Sequence, residues 1–590
     1  MIKRLQRQLA ERDDEGIAMV FVILAMVVVS MFVVGGLAYA VESQNGARHD
    51  QDYNAALAAA QAGVEDYISH LNRNDNYGRL NPFNDCLNAA MKGPKAPSPN
   101  TCGWSPGTPA GWQRVTDATI VGNPEFHYDV DGSQLDAQGT INVRSTGRAN
   151  GVVRSLEVAV SRGGSTQFLY YTDHEDADPA NQFVYPGGMP ANCGAYWWGT
   201  SADYPSQPAR NGNNGGCTEI TFVGGDVLDG AVHTNDTPLY TPVGATYPEF
   251  KQGVETADPA CKLAVKTDTT TWKNCDRFRS SANYDGIAPR YADPLLLPDN
   301  SGAFGGFPGC QYTGPTRIIF NTDGTMNVWS SQSTTTPACG GTAPWNTKVA
   351  VPLDQVIYVK AQSSGIHRCK SGEIDGTLPL GTFANDNTVS SYTYDDGMLL
   401  SEQNCGEGNV YVQGTLKGRV TLAAQNSVVV TGDLRLAGTL NGPDLLGLVA
   451  ANSVEVYHPI LSTYVCSQKK NGQCVGTYVD QGDNSEVAGW PVRTGASATD
   501  IEIDASIQTL GHSFLVQNYD KGTPQGKLTV RGSIAQKWRG IVGRGNPPAT
   551  GYLKDYHYDL RLKYSAPPYF PQFVKAVWAA RHSGEVPAQY

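Results

Sequence analysis

At 590 residues the chain is too long for one compact core and implies two or more packed units. Only 17% of it is charged, while Gly (65), Pro (35) and Tyr (29) are plentiful, a balance that points to short β-strands joined by turns. The formal net charge of −12, with no basic block beyond the first dozen residues, gives nucleic-acid binding little electrostatic support.

The first predicted element is a membrane helix. Residues 1–15 are polar and carry Lys3, Arg4, Arg7 and Arg12. From Ile17 to Val41 the chain is apolar or small, with Ser30 its only clearly polar residue and no charge. That is about 25 residues, where about 20 suffice to cross a bilayer as a helix. The basic residues before the span, set against Arg48 just after it, predict a single pass with the N-terminus inside and the C-terminus outside. Helical patterning continues beyond the span. Tyr53, Leu57, Ala60, Val64, Tyr67 and Leu71 alternate spacings of four and three, and no proline occurs before Pro82. A rod from Ile17 to about Leu71 would measure about 80 Å. Two other readings stay open. Ala38-Tyr39-Ala40 fits a secretory leader cut before Val41, although the apolar core is longer than such leaders carry. A plain tether with a coiled-coil stalk would show the same span and stripe.

The leader ending in Asp14-Glu15-Gly16, followed by Ile17-Ala18-Met19-Val20 and a long apolar helix, resembles a type IV prepilin, and within that group the PilX-type minor pilins. The run from Ala55 to Glu65, AALAAAQAGVE, adds to the likeness. The resemblance implies cleavage between Gly16 and Ile17 by a prepilin peptidase, a membrane aspartyl enzyme. Five residues into the mature chain, where major pilins carry a glutamate, this sequence has Phe21. That departure implies a minor, accessory or tip subunit.

After a loop-like stretch at 72–111 a small β unit follows. Asn150-Gly151 separates two strand-like runs, 143–149 and 152–160, and both turn residues tolerate positive φ, as a tight hairpin requires. Further on the sequence repeats itself loosely. Asn426-Ser427-Val428-Val429-Val430 matches Asn452-Ser453-Val454-Glu455-Val456, and related runs begin at Gly408, Lys527 and, less clearly, Gly224. Short alternating strands recurring about every 18–26 residues are expected of a β-helix or related solenoid, with a β-sandwich as the alternative. This half resembles uncharacterised bacterial surface proteins with bactofilin-like solenoids through the runs 532–540 and 551–559 and through Pro567-Pro568-Tyr569-Phe570. That likeness implies a structural role.

All twelve cysteines follow the span and fall into neighbouring pairs: Cys86/Cys102, Cys193/Cys217, Cys261/Cys275, Cys310/Cys339, Cys369/Cys405 and Cys466/Cys474. Sequential disulfides in an oxidising compartment are the expectation, each closure of about fifteen residues adding about 3 kcal/mol. No C-x-x-C occurs to suggest zinc. Asp173-His174-Glu175-Asp176-Ala177-Asp178 could offer oxygens to Ca²⁺ but lacks the spacing that wraps a loop around an ion, so a solvated turn is expected there, and likewise at 480–486. Nucleophile-elbow, P-loop and His-Glu-x-x-His motifs are absent. The aromatic tail from Tyr552 to Trp578 is expected to cap the last rung.

The expected protein is therefore mainly β with one long N-terminal α-helix: a transmembrane and stalk helix, a small antiparallel β head and a larger β-helix-like solenoid. Its expected parts are a cytoplasmic leader (1–16), the helix (17–74), a pilin-like β unit (75–163), an irregular β-rich disulfide region (164–400), the solenoid core (401–540) and a C-terminal cap or tail (541–590). The expected function is that of a minor pilin or pilus-associated surface protein in the cytoplasmic membrane, with no enzymatic activity, cofactor or metal. Partners expected are the membrane, prepilin peptidase, other pilin-like subunits with the pilus assembly machinery, and a surface polysaccharide or host surface. The alternative is a membrane-anchored or secreted β-helix enzyme acting on polysaccharide.

Overall fold

The apolar run and the patterned stretch after it form one unbroken α-helix, Asp14–Arg73. In the computed structural model the described residues are chiefly 14–74, 112–116, 123–135, 139–181, 184–202, 214–263, 282–330, 347–363, 406–483 and 500–588, apart from a few positions within them and some short pieces between. The chain divides into two units, one of residues 1–132, 142–160 and 582–590, the other of 133–141 and 161–581.

In the first unit the helix changes character along its length. From Met19 to Val41 it is exposed throughout. From Ala56 to Leu71 one face is buried, through Ala56, Ala59, Ala60, Val64, Tyr67 and Leu71. The predicted stripe thus meets a β-sheet and not a coiled-coil partner, and Tyr53, at its upper end, stays exposed beneath the Arg154 guanidinium, 3.8 Å away. The sheet has the strand order Gln113–Arg114, Glu125–Asp131, Thr140–Ala149, Val152–Arg162 and Trp578–Val586. Its last strand comes from the C-terminus, and Glu585 there forms a bidentate ion pair with Arg154. Asn150 and Gly151 both have positive φ, +44° and +87°, and make the hairpin the sequence predicts. Small residues let helix and sheet approach closely. A Cβ at Gly147 would collide with the Ala56 carbonyl and the Ala60 nitrogen, and one at Gly63 with Ser145 and Phe126.

The second unit is a stack of parallel rungs. Along it the strands run Glu249–Phe250 with Val254–Thr256, Val227–Asp229 with Val232–Thr234, Thr550–Tyr558 with Tyr170–His174, and then the long Pro524–Trp538. It continues through Ile501–Ile503 with Ser506–Thr509, Val428–Leu436 with Leu445–Ala450, Val410–Leu416 with Arg419–Ala424, and Thr316–Phe320 with Gln355–Lys360. Side chains at one register position form a column down the interior: Ile357, Leu422, Leu448, Ile507, Ile534, Tyr170, Val232 and Val254, none more than 2% exposed. Full burial of each such aliphatic contributes about 1.5–3 kcal/mol, which no rung could collect alone. The repeated Asn-Ser-Val runs stack in register, Val428–Val430 on Val454–Val456. The Asn426 amide donates to Asn409 Oδ1 at 2.8 Å and the Asn452 amide to Ser427 Oγ at 3.0 Å, closing the turns as a ladder.

Chain order does not follow stack order. The chain enters mid-stack at Tyr170–His174, winds outward to Val254–Thr256, crosses to the far end near Gly309 and returns rung by rung. Pro524–Trp538 then pairs with Thr550–Tyr558 through its first half and with Tyr170–His174 through its second. A seam therefore joins strands more than 300 residues apart in the middle of the stack.

Beyond the seam the tail lies along the outer faces of the rungs, from the middle of the stack to the end rung at Gln355–Lys360. Phe570 packs with Tyr358, Ala423 and Val449, and Phe573 with Tyr171 and Ala535. Gly447 admits the Phe570 ring, which a Cβ there would strike.

Candidate functional site

The helix surface from Met19 to Val41 presents methionine, valine, leucine, isoleucine and phenylalanine side chains on all sides, each 43% or more exposed. A helix that is apolar all round is covered in use, by lipid or by other helices. Among the described residues it is the one helix long and apolar enough to cross a membrane. Phe21 lies on it, 65% exposed. Gly16 and Ile17 fall within its backbone span, but their surroundings, like the leader 1–13, lie outside what the structure describes.

The acidic run overturns its expectation. Asp173, Glu175, Asp176 and Asp178 are all buried, where a solvated turn was expected. Each is held by a donor from elsewhere in the chain. Glu175 pairs with Arg539, itself fully buried with its guanidinium over the Phe222 ring at 3.5 Å. Asp176 pairs with Arg210 through two nitrogens. Asp178 takes His512 Nδ1 at 2.8 Å and Ser513 Oγ at 3.0 Å. Asp173 accepts from the Tyr196 hydroxyl at 2.6 Å and the Asn235 amide at 2.8 Å, with Lys537 Nζ at 3.7 Å. Together these contacts make the run an interior ion-pair and hydrogen-bond network, and among the described residues no three His, Cys, Asp or Glu side chains converge.

The electrostatics follow from burial. Asp236 sits beneath the run and accepts the backbone N–H groups of Trp197 (2.6 Å), Thr237 (2.8 Å) and Glu175 (3.1 Å). Desolvation raises its pKa to about 7, against the opposing pull of Arg210 and those N–H groups. Desolvation lowers the pKa of His174, whose ring stacks on Trp538 at 4.1 Å and on Tyr196 at 4.8 Å. Removing one member of such a pair strands a buried charge at a cost of about 3–5 kcal/mol.

The partners are what local sequence reading missed. Arg539 pairs across 364 residues and His512 across 334, while Lys554 bonds Asp226 at 2.9 Å across 328. Lys537, Trp538, Arg539 and Lys554 lie in the two runs 532–540 and 551–559. Those runs are the returning half of the seam.

Of the cysteine pairs, Cys193–Cys217 and Cys310–Cys339 are disulfides, with Cα atoms 5.4 Å and 5.5 Å apart. Cys261 is also disulfide-bonded, to a residue outside those described. Cys86, Cys102, Cys275, Cys369 and Cys405 lie outside the described residues, as do the side chains of Cys466 and Cys474, whose backbone forms the antiparallel hairpin 460–483. The side chains of the acidic loop 480–486 lie outside them too.

No protein-family model matches the chain, and no curated protein matches it. Among solved structures it is similar to the competence-associated pilin ComZ from Thermus thermophilus, at 12% identity over 91% of this chain and 97% of that one, with a TM-score of 0.27. A score this low does not establish a shared fold.

Proposed function

We propose that the chain is a minor pilin or pilus-associated surface protein, held in the cytoplasmic membrane by its N-terminal helix with both β units outside the cell. The observation that carries this reading is the helix Asp14–Arg73, bare and apolar over its first half and seated on an antiparallel sheet over its second. The bare half needs a bilayer or a bundle of like helices. Disulfides on the far side of the span fit an oxidising compartment. Prepilin peptidase, the pilus assembly machinery and neighbouring pilin-like subunits are its partners, with a surface polysaccharide or host surface as target. Phe21 in place of a carboxylate fits an accessory subunit of the PilX type, and the rung stack fits a bactofilin-like displayed module.

The role is structural and not enzymatic. Of the carboxylates a β-helix glycosidase or lyase could use in an open groove, those of the acidic run 173–178 are unavailable, being committed to ion pairs and hydrogen bonds in the interior, which favours the structural reading. N-terminal sequencing of protein from cells with and without prepilin peptidase tests the reading. A start at Ile17 that depends on the peptidase supports it. A start at Val41 means ordinary secretion, and Met1 in both strains means a simple tether.

A further inference from the structure

One cleft in the second unit opens beside the returning half of the seam, with a cavity volume of about 210 Å³. Asp226 and Lys554 lie at its floor, Thr221 and Ile541 on its walls, and Glu219 and the exposed Arg544 at its rim. Asp226 is 1% exposed. Its Oδ2 accepts from the Val223 N–H and from Lys554 Nζ, each at 2.9 Å. Its Oδ1 accepts nothing from the described residues. A buried carboxylate oxygen without a donor costs free energy that a ligand hydroxyl would recover. Lys554 Nζ carries donors beyond the one given to Asp226.

We propose that this cleft binds a neutral polyhydroxylated ligand about the size of one sugar ring. The charges decide against an ion. One carboxylate and one ammonium meet at the floor, and one carboxylate and one guanidinium stand at the rim, so no net charge draws an anion or a cation. Vicinal hydroxyls match the floor: one accepts from Lys554 Nζ, and its neighbour donates to Asp226 Oδ1 once a small shift of the floor exposes that oxygen, which is closed to solvent in this structure. Ile541 offers an apolar wall to the C–H face of a ring. The volume lies below the roughly 300 Å³ at which drug-sized pockets begin and suits a single residue or chain end. The inference rests on the surface-display reading, to which it adds the chemistry of the target.

The test is saturation-transfer NMR on the full chain in a detergent free of sugar, with the methyl glycosides of glucose, galactose and N-acetylglucosamine as probes. The expected result is transfer to at least one glycoside with a Kd of about 1 mM. Thr221→Trp, which fills the cleft and leaves the ion pair alone, should abolish it, and Asp226→Asn should weaken binding at least tenfold. If Asp226→Asn fails to fold, Thr221→Trp decides the matter alone. No transfer to any probe, or transfer unchanged in Thr221→Trp, overturns the proposal. Purified protein reports on the cleft whether or not cells display it, so this result and the N-terminal sequencing fail independently.

Discussion

Asp236 shows what burial does to a single carboxyl group. Its pKa stands at about 7 in the fold against 3.8 for the free side chain, so the folded chain holds its proton over a range where the unfolded chain has lost it. Stability from this group is therefore full below about pH 4 and declines as the pH rises to about 7, by at most about 1.4 kcal/mol per unit. Asp236→Asn lacks that slope. Its deficit in melting temperature against the parent should narrow between pH 4 and pH 7, and a gap constant across that range would refute the assignment. Little of this was visible in the sequence. The run from Asp173 to Asp178 announces charge, but a carboxylate reads the same in water and in a core until its partner is known. Arg210 lies some 34 residues from its partner and Arg539 364, and the residues around neither cation identify the carboxylate it meets. Gly147 was likewise silent, because the backbone it admits belongs to a helix far earlier in the chain.

At the scale of elements, local repetition was readable and long-range pairing was not. The Asn-Ser-Val runs recur because consecutive rungs share the same turn geometry and the same inward positions, so the stacking of Val428–Val430 on Val454–Val456 follows from neighbouring segments alone. The Asn150-Gly151 hairpin was legible for the same reason. The seam has no such signature, since its strands are not successive copies of one another. Its register is fixed by pairs that form in one alignment only, chiefly Glu175 with Arg539 and Asp178 with His512. Arg539→Ala should cost about 3–5 kcal/mol, whereas Arg539→Met combined with Glu175→Gln should recover most of the loss by leaving no stranded charge. Denaturant unfolding of the single and double variants checks this. Equal losses in both would show that the pair contributes by packing alone.

For the whole molecule, chain order and spatial order part company. A linear solenoid would tolerate loss of everything after about residue 540 as loss of a tail. Here Thr550–Tyr558 is an interior rung, and Trp578–Val586 is a strand of the small sheet. Ending the chain before Thr550 should therefore abolish cooperative unfolding of the second unit and leave it open to proteolysis. A truncated chain that melts as sharply as the parent would contradict the topology.

The central claim is that the N-terminal helix stays in the membrane and everything after it lies outside the cytoplasm. Protease treatment of intact cells, followed by blotting for the C-terminal half, tests this most directly. The account predicts membrane-bound protein whose β units are cleaved from outside without lysis and whose Cys193–Cys217 and Cys310–Cys339 pairs resist alkylation until reduced. Full-length protein recovered from the cytosol, protected in intact cells and alkylated without reduction, would contradict it.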